Sequence, residues 1–314
     1  MSEIETKLER YSYSKISTYK QCKFKFKLKY LDKNYLYSAN IATDFGSLVH
    51  TIEENIARAL QLGEPVDYIK LKNNFIIESR KLALKYPNEF YNRDKSGLTY
   101  QQKVYLYLES AIYRLEAFLQ KNPNLKIIGV EQHFEYNYDN IHSFSGSIDR
   151  AFLDISKDEI LIQDIKTWSV QAQNSELKAP LQFAVYIMAA QQLWNISADK
   201  IKCEYDLPLC NITQSALSDD IIGECKPVLD KLFKGIHSED FKPTISALCH
   251  WCEYNPLTNP TIIDSKPGAV CPYFSTWQKS GDNVRNTLIS WQDLSTVDVD
   301  RQLCINQLKQ QLNN

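Results

Sequence analysis

Apolar residues recur at helical spacing through the first third of the chain and at strand spacing through its middle. Val49, Ile52, Ile56 and Leu60 fall on one helical face, and Gly63 suits a C-terminal stop, which predicts a helix over residues 44–62. Ile16, Tyr19, Phe24, Phe26 and Tyr30 predict an opening helix capped by Ser14. Residues 68–85 also read as helix, as do residues 100–121, with Val104, Leu106, Leu108, Ile112, Leu115, Phe118 and Leu119. Residues 126–137, 143–154 and 159–165 are rich in β-branched and aromatic residues. Their links are short, Asp139-Asn140 and Ser156-Lys157-Asp158, so they predict a three-stranded meander. A helix over 178–194, a strand over 201–209, a helix over 215–235, a cysteine-containing loop over 249–274 and a terminal helix over 297–312 complete the pattern. The order helix, three strands, helix, strand predicts a mixed α/β core with helical additions at both ends.

Composition narrows this picture only slightly. With 44% hydrophobic and 24% charged residues in a chain of 314, the protein reads as globular rather than disordered. The formal net charge of -2 means that nucleic-acid binding cannot be argued from overall charge. Lys20, Lys23, Lys25, Lys27 and Lys29 form one local basic run, which reads equally as a phosphate-contacting or a solvated helix face. There is no run of 18 apolar residues, and the polar N-terminus lacks the apolar segment of a secretory signal. We therefore expect a cytoplasmic protein with no membrane association. In a reducing compartment eight cysteines suggest thiols and a metal site rather than a disulfide framework.

The candidate chemistry lies on the predicted meander. Asp149 is on its second strand and Asp164 near the end of its third, with Lys166 two residues on and on the same face. If the strands pair through their short turn, the two acids lie side by side, and a hard divalent cation relieves their repulsion. Mg²⁺ or Mn²⁺ there would polarise a phosphate oxygen and an attacking water, while Lys166 orients that water or stabilises the transition state. An isolated Asp-X-Lys is common; the weight comes from its place after the apolar Leu161-Ile162, where a charge needs a partner. His50, on the helix after Gly46, can complete a metal shell. Cys249 and Cys252 form a C-x-x-C pair, and Cys271 follows after eighteen residues, an arrangement that suits a metal or cluster.

Five elements in order resemble the RecB-like branch of the PD-(D/E)XK nuclease superfamily. They are Ser12 to Cys22, Gly46-Ser47-Leu48-Val49-His50, Gly146-Ser147-Ile148-Asp149-Arg150, Asp164-Ile165-Lys166-Thr167, and Gln182 to Tyr186. The resemblance implies a restriction-endonuclease-like α/β core, a mixed central sheet flanked by helices. The expected organisation is one nuclease domain over 1–314, with a helical part over 1–122, the catalytic core over 123–240 and a cysteine-containing part over 241–314. It implies His50, Asp149, Asp164 and the carbonyl of Ile165 as metal ligands, with Lys166 as the catalytic lysine. Gln182 and Tyr186 would lie along the DNA path. Glu131 resembles a recurrent acid of the family's first strand and would support the ligands, with a surface strand carboxylate as the equal alternative. Arg150 and Thr167 would contact DNA or support the ligands. The iron-sulfur members of the branch imply a 4Fe-4S cluster on Cys22, Cys249, Cys252 and Cys271 that ties the two ends together. Two departures stand: Lys23 follows Cys22 where the family often has Pro, and the Cys252–Cys271 gap is long. Zn²⁺ on the same thiolates, or buried thiols without metal, are the alternatives. Cys203, Cys210, Cys225 and Cys304 read as core thiols.

The leading expectation is a Mg²⁺- or Mn²⁺-dependent exonuclease acting on single-stranded DNA or DNA ends in recombination, repair or phage DNA metabolism. The enzyme is expected to stand alone, since the chain has no G-x-x-x-x-G-K-[ST] phosphate loop and so no helicase motor of its own; a helicase or an integrase is the kind of protein partner it could have. A CRISPR-adaptation trimming nuclease is an alternative within the same class. A non-catalytic DNA-end-binding module is an alternative of another class.

Overall fold

A computed structural model describes residues 8–36, 40–94, 96–246, 248–249, 252–255 and 270–271. The predicted terminal helix over 297–312 lies outside these residues. The chain forms two compact units: one holds the described residues of 8–10 and 40–225, the other those of 11–36 and 226–271.

The larger unit is built on a mixed sheet. Strands β1 (Glu9–Tyr11), β2 (Leu125–Asn137), β3 (His142–Asp154), β4 (Glu159–Ile165), β5 (Ile201–Leu207) and β6 (Ile212–Ser215) are ordered β1-β3-β4-β5-β6, with β2 also paired to β3. The meander β2-β3-β4 is antiparallel as expected, β4 and β5 are parallel, and β6 is antiparallel to β5. The parallel pair requires a crossover, which α8 (Asn174–Leu177) and α9 (Leu181–Trp194) supply.

Helices α3 (Ile41–Leu62), α4 (Tyr68–Lys85), α5 (Pro87–Tyr91), α6 (Tyr100–Glu109) and α7 (Arg114–Lys121) build the rest of this unit. In α3 the Asn40 side chain accepts from Thr43 N–H, and Gly63 ends the helix with a left-handed φ of 71°. Its buried stripe of Phe45, Val49, Ile52 and Ile56 packs in one core with Phe75, Tyr107, Ile112 and Phe152. The single helix expected over 100–121 is interrupted at Ser110, and a 3₁₀ turn over Ala111–Tyr113 separates α6 from α7. The helix expected from 215 starts at 221, because residues 212–215 instead extend the sheet as β6.

The smaller unit contains α1 (Tyr13–Gln21), α2 (Lys23–Phe26), a π-helical turn over Lys27–Leu31, and most of α10 (Ile221–His237). The cap of α1 is Ser12, whose side chain accepts from Lys15 N–H, rather than Ser14. Tyr19, Phe26 and Phe241 form its aromatic core, and the Tyr19 hydroxyl donates to the Asp240 carbonyl at 2.9 Å. The basic run is largely neutralised within this unit. Lys23 pairs with Asp240, Lys25 with Glu253 at 2.7 Å and Lys27 with Asp32 at 2.8 Å. No helix among the described residues is long and apolar enough to cross a membrane.

Candidate active site

Alternation along β3 and β4 sorts their polar residues onto two faces. Arg150 pairs with Gln163 across the two strands, so Asp149 and Asp164 are neighbours on the opposite side. Asp149 Oδ2 accepts from the Ile165 amide at 2.7 Å. Burial, and then the Asp164 carboxylate, push the Asp149 carboxyl up to about 7.

His50 enters from α3, where it follows one turn after Gly46. Its Nδ1 lies 3.7 Å from Asp149 Oδ2 and 3.9 Å from Glu131 Oε1, and its Nε2 lies 3.0 Å from the Ile165 carbonyl oxygen. Burial lowers the imidazole pKa, but Glu131, Asp149 and Asp164 together outweigh it and raise the value above the ordinary one. A Cβ on Gly46 would stand 3.4 Å from Thr167 Oγ1, close to an ordinary contact distance, which places this turn of α3 beside the segment after β4.

Glu131 lies beside His50 and Asp149. It faces Asp149 across β2 and β3, between the pairs Val130–Arg150 and Gln132–Ile148. A register shift between Ile127 and Gly129 sets that alignment. Glu131 adopts a left-handed φ of 44° within the strand, a conformation that costs a residue with a Cβ roughly 1–2 kcal/mol. One ligand atom from each of His50, Glu131 and Asp149 lies within 4.8 Å of the others. This spacing, and a set of two carboxylates with one imidazole, fit a divalent cation of the Mg²⁺ or Mn²⁺ type.

Asp164 is engaged differently. Its Oδ1 accepts from Gln182 Nε2 at 2.8 Å and from the Tyr186 hydroxyl at 3.3 Å, both on α9. Its Oδ2 lies 2.6 Å from Lys166 Nζ, which also donates to Gln182 Oε1 at 3.2 Å. Burial and the nearby carboxylates of Asp164 and Asp149 hold the Tyr186 phenol well above its ordinary pKa, so it stays a donor. The Lys166 amide donates to the Asp206 carbonyl at 2.8 Å, which fixes the chain where it leaves β4. Gln182 and Tyr186, read from the sequence as lying along a DNA path, thus direct their polar ends at Asp164.

Arg150 points the other way. It is 1% exposed, donates to Glu53 Oε2 at 2.9 Å and pairs with Asp206. Asp206 Oδ1 also takes Arg114 Nη2 at 2.6 Å, and Glu53 Oε1 takes the Tyr107 hydroxyl at 2.8 Å. The guanidinium is therefore enclosed in the protein and unavailable to nucleic acid.

In the smaller unit, Cys22, Cys249, Cys252 and Cys271 all line one cavity of about 50 Å³. Cys22 caps α2, accepting from Lys25 N–H at 3.5 Å, and Cys249 Sγ accepts from Ser246 N–H at 3.5 Å. The Cys271 amide donates to the Tyr254 carbonyl at 2.8 Å. Burial pushes the Cys252 thiol up to about 12 against the opposing pull of the Tyr254 amide and the Lys25 ammonium. Four cysteines lining one cavity supply the donor type that a thiolate-bound metal or cluster takes, whose charge would make the thiolate forms stable, although among the described residues no three of their sulfurs lie within 4.8 Å of one another.

No curated protein matches the chain. The model of the PD-(D/E)XK nuclease superfamily matches residues 10–257. That span includes the sheet from Arg10 onward and every helix that brings a side chain to Asp149, Asp164 and Lys166, and the chain belongs to this superfamily of nucleases.

Proposed function

We propose that the protein is a Mg²⁺- or Mn²⁺-dependent DNA exonuclease acting on single-stranded DNA or DNA ends in the cytoplasm, in recombination, repair or phage DNA metabolism. The observation that carries this reading is the convergence of His50, Glu131 and Asp149 beside the Asp164–Lys166 pair. His50, Asp149 and Asp164 with the Ile165 carbonyl, supplemented by Glu131, would hold the metal. A divalent cation bound there supplies Lewis-acid polarisation of a phosphate oxygen and a lowered pKa for water. Lys166 is half-buried, and Asp164 and Gln182 restrain its ammonium. This preorganised charge orients the attacking water or meets the charge that develops on the phosphate. Gln182 and Tyr186 keep Asp164 oriented. The cysteine cavity would hold a 4Fe-4S cluster with a role in stability, with Zn²⁺ as the chemical alternative.

The test uses 5′- and 3′-labelled single strands and duplexes with Mg²⁺ or Mn²⁺. Asp164→Ala and Lys166→Ala should each lose at least about 100-fold in cleavage while staying folded. Full activity in either variant overturns the mechanism. Binding without products by the unaltered protein would favour a DNA-end-binding module.

A further inference from the structure

Two residues beyond Lys166, Trp168 leaves 37% of its surface exposed. A singly exposed apolar side chain is ordinary in itself; the way this one is held is not. Its indole rests on the Tyr205 ring, with centroids 5.4 Å apart and planes inclined at 53°. That same Tyr205 ring lies 5.8 Å from Lys166 Nζ and packs on Phe183 of α9 at 4.5 Å. Tyr205 pairs with Asp164 across the parallel strands β4 and β5, so the indole stands on the active face of the sheet.

The backbone under the indole is also pinned. The Trp168 carbonyl accepts from Cys210 Sγ at 3.5 Å. Four residues on, Ala172 exchanges two hydrogen bonds with Gln214 of β6, at 2.7 and 3.2 Å. An exposed aromatic surface has therefore been fixed in place, one ring away from the lysine ammonium, on a segment anchored to two parts of the sheet unit.

We infer that Trp168 is a stacking platform for an unpaired nucleobase of the substrate strand, next to the phosphate at which Lys166 acts. This rests on the proposed nuclease reading and deepens it, because it assigns the substrate class at that position as single-stranded nucleic acid. A planar apolar face held in advance loses little freedom on binding and accepts any base. A paired base inside a duplex presents no free face to it. Next to it Ser169 is buried, while Trp168 keeps part of its surface exposed.

The experiment measures binding of a fluorescein-labelled single strand in EDTA by anisotropy, with an abasic residue placed at each position in turn. At one position the unaltered protein should bind the abasic strand roughly 5- to 150-fold more weakly. Trp168→Leu keeps an apolar side chain on Tyr205 but has no aromatic face. It should bind the intact strand as weakly as the unaltered protein binds that abasic one. Trp168→Phe should keep most of the discrimination. Equal binding of all abasic strands by the unaltered protein, or undiminished discrimination in Trp168→Leu, overturns the inference. The abasic scan needs no variant to fold. Cleavage with Mn²⁺ is read separately, so absence of cleavage would count against the proposed function and not against the platform.

Discussion

Arg150 and Glu53 form an enclosed ion pair, with Nη1 donating to Oε2 at 2.9 Å. Glu53 lies three residues after His50 on α3, and Arg150 directly follows Asp149 on β3. The pair therefore sets the register of the helix that carries the imidazole against the strand that carries the carboxylate. Burial pushes the Glu53 carboxyl up and the Arg150 guanidinium opposes this, so each charge depends on the other.

Removing one partner should leave an uncompensated buried charge. Arg150→Met is expected to cost about 3–5 kcal/mol of stability, measured by denaturant unfolding, and Glu53→Gln somewhat less. The double variant should regain part of the loss. A cost near zero for Arg150→Met would contradict the enclosed pair.

Glu131 should matter to metal binding more than to folding. Metal-induced thermal stabilisation of Glu131→Gln should reveal a dissociation constant weaker by at least about 10- to 100-fold, the range known for lost ligand-supporting groups. Unfolding in EDTA should be little changed. An unaltered metal affinity would remove Glu131 from the ligand set.

Stability without metal should fall as pH rises. The Asp149 carboxyl, at about 7, and the His50 imidazole are both raised on folding. Each favours the folded state while protonated, and that contribution disappears as pH climbs through the folded value. The metal-free protein should thus be less stable at about pH 8 than at about pH 6, starting from the ordinary carboxylate value near 4. Divalent metal, which needs the ionised carboxylate, should stabilise more at the higher pH. Asp149→Asn should flatten the profile; an unchanged slope in that variant would place the titration elsewhere.

Protein prepared without oxygen should carry iron and show the visible absorption of a thiolate-bound cluster. Cys252→Ser should bleach it and lower thermal stability. A colourless protein with one zinc per chain would assign the cavity to Zn²⁺ instead.

Local pattern alone determined the kinds and order of the central elements. The helical stripe of Val49, Ile52 and Ile56, the meander, and the shared face of Asp164 and Lys166 all follow from periods of 3.6 and 2. Five short motifs in order, none informative alone, were enough to suggest the superfamily that the family match over residues 10–257 then showed. Tertiary structure decided what depends on distant neighbours. Glu131 meets Asp149 only because a shift between Ile127 and Gly129 changes the register of β2. Arg150 is buried because Glu53 and Asp206, 97 and 56 residues away, supply counter-charges. Part of the basic run is neutralised by Asp240 and Glu253, far along the chain. A side chain's partner across folded space sets its charge, exposure and role, and no periodicity along the chain records which partner that will be.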